Sequence, residues 1–140
     1  MEPMILEYAV SGDDFSGAGE ASGDVKKTLK SLGFPPETIR RVSVSMYEAE
    51  INMVIHARGG KITVEISPAE ICVCCEDVGP GIPDIELAMQ EGWSTASDKV
   101  RGMGFGAGMG LPNIKKYTDH LDIKTVIGEG TTLTMKIQVR

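Results

Sequence analysis

The sequence predicts an α+β fold, a two-layer sandwich in which helices cover one face of a mixed, mostly antiparallel sheet. Strand-like and helix-like patterns follow one another as one strand, two helices, two strands, a Gly-rich stretch with a short helix, a further helix and two strands. Short turns at Ser67-Pro68-Ala69 and Gly128-Glu129-Gly130 join neighbouring strands. Such turns join antiparallel strands, and the adjacent helices are expected on one side of the resulting sheet.

Length and charge limit the function classes. The chain has 140 residues, of which 41% are hydrophobic, so we expect a single domain over residues 1–140. A net charge of -6 gives no positive field that would hold a nucleic acid. The start of the chain lacks a signal-peptide pattern, and no apolar run reaches the roughly 18 residues that a membrane helix needs. We therefore expect a cytoplasmic protein that binds neither nucleic acid nor membrane.

The first half of the chain predicts a strand, a loop and two helices. Residues 4–10 have strand composition, and the Gly-rich residues 11–19 form a loop. The first helix covers residues 18–32 and stops at Gly33. The second helix opens at Pro35-Pro36-Glu37 and runs to about Ala57.

The second helix has an unusual distribution of apolar and polar residues. An apolar stripe is expected to face the core, and a polar strip lies between this stripe and a second apolar band, which suggests the wall of a pocket. The stripe is Ile39, Val42, Met46, Ala49 and Met53; the strip is Arg41, Ser45, Glu48 and Asn52; the band is Val44, Ile51 and Ile55. Glu50 lies near the core stripe, and the pattern does not explain a carboxylate there.

The second half of the chain predicts four strands and a helix. The strands cover 61–67, 70–76, 121–126 and 131–139, and the helix covers 111–118. In the run 70–76 both alternating sets of residues are apolar, which predicts a central strand covered on both faces. Its three cysteines are therefore interpreted as buried thiols rather than metal ligands or disulfide partners: Cys72, Cys74 and Cys75.

Glu48 and Asn52 are four residues apart on the second helix and so lie on one side, with His56 one turn further. A carboxylate that can take a proton beside an amide oxygen suits a Mg²⁺ ion that takes its other ligands from phosphates and water. A solvated helix face with a chance acid and amide is the alternative.

Two glycine motifs follow the cysteine strand. Asp77, Gly79 and Gly81 form a D-x-G-x-G turn, in which a strand-end acid can accept hydrogen bonds from an exocyclic amine. A tight turn with a capping Asp is the alternative. Further on, the glycines of a G-x-G-x-G-L motif lead into a helix, so that backbone N–H groups converge where an anion could bind; a flexible linker is the alternative. This second motif consists of Gly106, Gly108, Gly110 and Leu111.

Taken in order, these motifs resemble the four ATP-binding boxes of the GHKL (Bergerat-fold) ATPases. The boxes are the E-x-x-x-N of the helix, D-x-G-x-G, G-x-G-x-G-L and Gly130-Thr131-Thr132. The resemblance covers about residues 35–137. The stretch YEAEINMVIH is most similar to the bacterial anti-sigma-factor serine/threonine kinases.

The resemblance implies a role for each box. Glu48 would be the general base, and Asn52 would hold Mg²⁺ against the triphosphate. Asp77 would accept from the adenine amine, with Gly81 giving the ring room, and Thr131 would support the adenine end. The N–H groups of Gly108 and Gly110 would meet the phosphates. Residues 84–106 would form a lid over ATP, and Arg101 within them could serve as the basic residue that family kinases often have near the end of the lid.

The function implied by this resemblance is an ATP- and Mg-dependent serine/threonine kinase that acts on a small antagonist (anti-anti-sigma-like) protein. The alternative is a binding module that captures a partner such as a sigma factor, with ATP setting its conformation. Whether the chain forms a homodimer is left open.

Overall fold

The computed structural model of the protein describes residues 3–12, 17–57, 59–79, 81 and 110–139. Within them the chain forms five strands and three helices. In chain order these elements are β1 (Met4–Ser11), α1 (Glu20–Ser31), α2 (Pro36–His56), β2 (Gly59–Ile66), β3 (Glu70–Asp77), α3 (Gly110–Tyr117), β4 (His120–Val126) and β5 (Gly130–Gln138).

The five strands form one sheet in the order β1-β2-β3-β5-β4. All four pairings between these strands are antiparallel. The hairpin turn at Ser67 is held by its side chain, since Ser67 Oγ donates to the carbonyl of Glu70 at 2.7 Å. The predicted α+β fold is confirmed, with β3 at the centre of the sheet.

The core lies between the sheet and the helices on one of its faces. Alternate residues of β2, β3 and β5 point toward the helices, because successive side chains of a strand face opposite sides. The apolar stripe of α2 is buried as predicted. The largest fully buried side chains are Leu29, Met46, Ile62, Ile71, Ile114, Met135, Ile137, Val25, Val42, Val54, Val64 and Val73.

The prediction that β3 is covered on both faces is wrong for one face. Ile71, Val73 and Cys75 are buried against the helices, but Cys72 and Cys74 on the opposite face are only partly buried. Burial raises the pKa of all three thiols, most strongly for Cys75. The apolar character of cysteine hid this difference, because a small thiol is tolerated on a half-exposed sheet face as well as in a core.

None of the helices in the described part of the chain is both long enough and apolar enough to cross a membrane.

Candidate functional site

Asp77 ends β3 between two glycines that belong to the neighbouring strands. A Cβ atom on Gly60 of β2 would lie 2.0 Å from the Glu76 carbonyl oxygen and 2.8 Å from Asp77 Cα. A Cβ on Gly130 of β5 would lie 2.2 Å from the Asp77 carbonyl oxygen. Both glycines have positive φ, which L side chains rarely adopt. The two flanking strands can therefore close around Asp77 only because these positions lack side chains.

The Asp77 carboxylate is oriented by Thr131. The backbone N–H of Thr131 donates to Asp77 Oδ1 at 2.8 Å, and the Thr131 hydroxyl lies 3.0 Å from that of Thr125 on β4. Burial raises the pKa of Asp77 above its usual value, and the hydrogen bond from Thr131 lowers it in part. The structure thus brings together Asp77 and Thr131, two of the predicted site residues, through the hydrogen bond from the Thr131 N–H to the carboxylate.

The two glycines of the D-x-G-x-G turn lie against the β4–β5 hairpin. The N–H of Gly79 donates to the Glu129 carbonyl at 3.2 Å. Gly81 has a φ of 82°, and a Cβ there would lie 2.9 Å from the Val126 carbonyl oxygen. The hairpin itself therefore requires glycine at 81, whatever the turn binds.

Helix α3 lies antiparallel to α2. Asn113 Nδ2 donates to Glu48 Oε1 at 3.4 Å, and one turn further along α3 the Tyr117 hydroxyl lies 3.2 Å from Arg40 Nη2. As α3 runs forward from 113 to 117, its contacts on α2 run backward from 48 to 40. Asn52 follows Glu48 by one turn of α2, away from Arg40 and therefore in the direction of the N-terminal end of α3.

The beginning of α3 is suited to an anion. The first turn of an α-helix presents backbone N–H groups without partners in the helix and a positive dipole end. No acidic side chain lies in the first turn of α3, so nothing in that turn neutralises this end. The contact of Asn113 with Glu48 places the first turn of α3, which includes Gly110 and Leu111, beside Glu48, and Leu111 is buried there.

The Asp77 turn is adjacent to the same end of α2. A Cβ on Gly60, the β-ladder partner of Asp77, would lie 2.9 Å from Met53 Cε. Since Met53 directly follows Asn52, the C-terminal half of α2 packs over the strand end that carries Asp77. The described residues of three sequence-predicted boxes, E-x-x-x-N, D-x-G-x-G and Gly130-Thr131-Thr132, therefore lie near this end of α2 and of the strand that carries Asp77.

Glu48 is a half-buried acid with one hydrogen-bond donor among the described side chains. Burial raises the pKa of its carboxyl above the usual glutamate value, and the hydrogen bond from Asn113 lowers it in part. A carboxylate with a raised pKa beside the N-terminal end of a helix is suited to accepting a proton.

Glu50, which the helical pattern did not explain, binds the beginning of α1. Its Oε2 accepts from the N–H groups of Gly19 and Ala21 at 3.0 and 3.2 Å, and its Oε1 accepts from that of Ser22 at 3.1 Å. The N-cap residue of α1 is Gly19, which has no side chain to do this. Glu50 is 2% exposed and therefore serves as the cap from a different helix.

The predicted polar strip on α2 is only half correct. Ser45 is fully buried, and its hydroxyl donates to the Arg41 carbonyl at 2.7 Å. Arg41 forms a salt bridge of 3.2 Å with Asp119, in which both side chains are largely buried. The first half of the strip is therefore structural, and only Glu48 and Asn52 border the site.

Part of the predicted site lies outside the described residues. This applies to Gly106, Gly108, Arg101 and the lid at residues 84–106, and to the side chain of His56. Within the described part of the chain no group of three His, Cys, Asp or Glu residues could hold a metal ion.

Comparison with known proteins places the chain in a family. The family model described as "Histidine kinase-like ATPase domain" matches residues 18–137. The chain belongs to this family. The match confirms the resemblance proposed from the four boxes and spans all the described helices and most of the sheet.

Two known proteins are similar to this chain over most of its length. The chain is 32% identical over 112 residues to the serine/threonine-protein kinase RsbT of Bacillus subtilis, covering 77% of this chain and 78% of that protein. It is 30% identical over 143 residues to the anti-sigma F factor of Clostridium novyi, covering 98% and 94% of the two chains.

A solved structure shares the fold. The RsbU and RsbW domains of a protein from Mycobacterium tuberculosis superpose with a TM-score of 0.66 at 14% identity. The superposition covers 97% of this chain but only 32% of that longer one. This likeness supports the fold of the ATPase domain and nothing further.

Sequence reasoning missed two residues that shape the site, Asn113 and Gly60, and it assigned Gly130 to a motif without its role beside Asp77. Asn113 carries no motif signal, because only the packing of α3 on α2 brings it to Glu48. Gly60 and Gly130 were visible as glycines next to predicted strands, but their role depends on the sheet order that sets them on either side of Asp77.

Proposed function

We propose that this histidine kinase-like ATPase domain is an ATP- and Mg-dependent serine/threonine protein kinase of the anti-sigma type. Its protein substrate would be a small antagonist protein that presents a serine or threonine hydroxyl. The single-domain organisation and the cytoplasmic location expected from the sequence are part of this proposal.

The observation that carries the proposal is the environment of Glu48. A kinase that phosphorylates a hydroxyl needs a base positioned near the hydroxyl proton. Glu48 is half-buried, has a raised pKa, and lies one helical turn from Asn52 and from the beginning of α3. An acid placed there only for solubility would be expected at a more exposed position.

The described residues fit a nucleotide. Asp77, oriented by Thr131, would accept from the adenine amine at the strand end. The N–H groups at the beginning of α3, with those of Gly106 and Gly108 before it, would bind the phosphates. Asn52 would supply one oxygen ligand to Mg²⁺, and the ion, when bound, would neutralise charge on the phosphates.

A second candidate function is a nucleotide-gated binding module. It is favoured by the names of several relatives, since anti-sigma F factors of Clostridium novyi and of a Thermoanaerobacter species match the chain at 30% and 34% identity. Such a module would capture a sigma factor or the antagonist protein, as a monomer or a homodimer, and ATP would set its conformation without turnover.

The test is phosphate transfer from γ-labelled ATP in the presence of Mg²⁺ and a lysate of the source cells. The wild type should label a protein on serine or threonine. Glu48→Gln should lower that rate by about a hundred- to ten-thousandfold while ATP affinity in calorimetry stays within a few-fold. Glu37→Gln, at an exposed position of the same helix, should label as the wild type does.

Two outcomes would contradict the kinase. One is transfer by Glu48→Gln at the wild-type rate, which would show that this carboxylate is not the base. The other is a wild type that labels no protein but binds a partner only in the presence of nucleotide, which would favour the binding module.

A further inference from the structure

The one described side chain that donates a hydrogen bond to Glu48 comes from a different helix. Asn113 lies in the first turn of α3, and its Nδ2 is 3.4 Å from Glu48 Oε1. Because an ionised carboxylate only accepts hydrogen bonds, the amide must turn its NH₂ group toward it. The contact therefore fixes the orientation of both side chains.

We propose that Asn113 is a positioning residue that holds the Glu48 carboxylate toward the beginning of α3. The inference rests on the proposed function, in which Glu48 is the base. A glutamate has three side-chain torsions and loses much rotamer freedom when it is held in one place. A single donor on a packed helix can supply that restraint, and among the described residues Asn113 is the group that donates to this carboxylate.

The position of α3 that brings Asn113 to Glu48 is itself fixed by contacts away from the site. At the other end of the helix pair, the Arg40 guanidinium lies over the Tyr117 ring at 5.0 Å and bonds its hydroxyl. Arg41 is paired with Asp119 just beyond α3. The buried Ile114 anchors the middle of the helix. Asn113 is thus carried on a firmly packed element.

Among the described side chains, Asn113 is the polar group whose contact can change the pKa of Glu48, because the neighbouring ionisable groups are engaged elsewhere or exposed. Glu50 is turned away and saturated by the N–H groups of α1, and Lys116 lies over the Tyr117 ring at 5.4 Å. Lys115 is exposed, and Arg40 and Arg41 are bound at the far end of the helix pair. Loss of the amide donor should therefore make the carboxylate both less ordered and less easily ionised.

The contact is at the long end of the hydrogen-bond range, in which N–H···O distances cluster near 2.9–3.0 Å. Bonds between catalytic groups are often long before ligands bind and shorten in the reacting complex. Asn113 lies in the same first turn of α3 as the N–H groups proposed to bind phosphate. Phosphate binding at the beginning of α3 would therefore act directly on the residue that holds the base.

The experiment compares the pH dependence of phosphate transfer in the wild type with that in Asn113→Leu and Asn113→Ala. Both variants remove the amide donor at a partly exposed position, one with a larger and one with a smaller side chain, and neither adds a charge. We expect kcat to fall by about 10- to 100-fold, as for a misplaced catalytic group. ATP affinity should stay near the wild-type value, and the acid limb of the profile should move to higher pH. Asn113→Gln, which keeps the amide, should recover part of the rate, and Lys115→Gln serves as the exposed control on α3.

The outcomes separate this inference from the function on which it rests. If Glu48→Gln abolishes transfer but both donor-free variants keep the wild-type acid limb and kcat, Asn113 is not a positioning residue and the kinase assignment stands. A loss of ATP affinity equal to the loss of kcat would also overturn the inference, because Asn113 would then be a binding or structural residue. If Glu48→Gln transfers phosphate normally, the proposed function itself fails.

Discussion

Glu48 and Glu50 lie two residues apart on α2, about 200° apart around the helix axis. Glu50 points into the beginning of α1 and accepts three backbone N–H groups at 3.0, 3.1 and 3.2 Å. Glu48 points toward α3 and has one long bond from Asn113. Glu50 is buried and both of its oxygens are hydrogen-bonded, so it is held in place and has a structural role. Glu48 is partly removed from water and has only one hydrogen bond, so it can still take up a proton.

The largest effect on folding is expected at Glu50. Glu50→Ala would leave three buried N–H groups of α1 without an acceptor and remove the interaction of the carboxylate with the helix dipole. The free energy of unfolding should fall by about 2–4 kcal/mol. Chemical denaturation of the variant measures this loss, and Glu50→Gln, which keeps one acceptor oxygen, should lose less. If Glu50→Ala is as stable as the wild type, Glu50 does not stabilise α1, and the contrast between the two glutamates is wrong.

A third carboxylate, Asp77, extends the comparison to the proposed nucleotide site. Asp77 resembles Glu48, because burial raises its pKa and one N–H orients it. Asp77→Asn keeps an acceptor for Thr131 but loses the charge proposed to bind the adenine amine. Affinity for ATP should fall by about 10- to 100-fold, since hydrogen bonds to charged groups contribute about 1.5–3 kcal/mol.

Calorimetry with ATP measures the affinity of Asp77→Asn. Glu76→Gln, at the adjacent exposed position on the opposite face of β3, is the matched control and should bind as the wild type does. Unchanged affinity in Asp77→Asn would place the adenine elsewhere.

The smallest effect is a gain in stability at Glu48. Since the folded state raises the pKa of Glu48, the ionised carboxylate is disfavoured on folding. This penalty is absent below the unfolded pKa and fully present above the folded pKa. Glu48→Gln should therefore melt slightly above the wild type at neutral pH, and the difference should vanish as the pH falls through the glutamate range. A variant less stable than the wild type at neutral pH would instead make Glu48 structural.

Most of the fold could be predicted from the sequence, and so could the elements that carry the candidate site residues, because they depend on local patterns. The apolar stripe of α2, the hairpin turn at Ser67 and the strand-end position of Asp77 are each encoded within a few residues. What could not be predicted depends on contacts between distant segments. Glu50 meets a helix start about 30 residues earlier in the chain, and Asn113 meets Glu48 at a separation of 65. The exposure of Cys72 and Cys74 follows from the side of the sheet on which the helices pack, which strand composition does not specify.

The central claim is that Glu48 is the base of a protein kinase, and the pH dependence of phosphate transfer tests it most directly. The single-turnover rate with saturating ATP and Mg²⁺ would be measured between about pH 4 and pH 9 for the wild type and Glu48→Gln. In the wild type the rate should fall on acidification with a midpoint above the ordinary glutamate value of about 4.3. The residual rate of Glu48→Gln should lack this limb. An identical acid limb in both proteins, or a wild-type midpoint at the ordinary value, would contradict the claim.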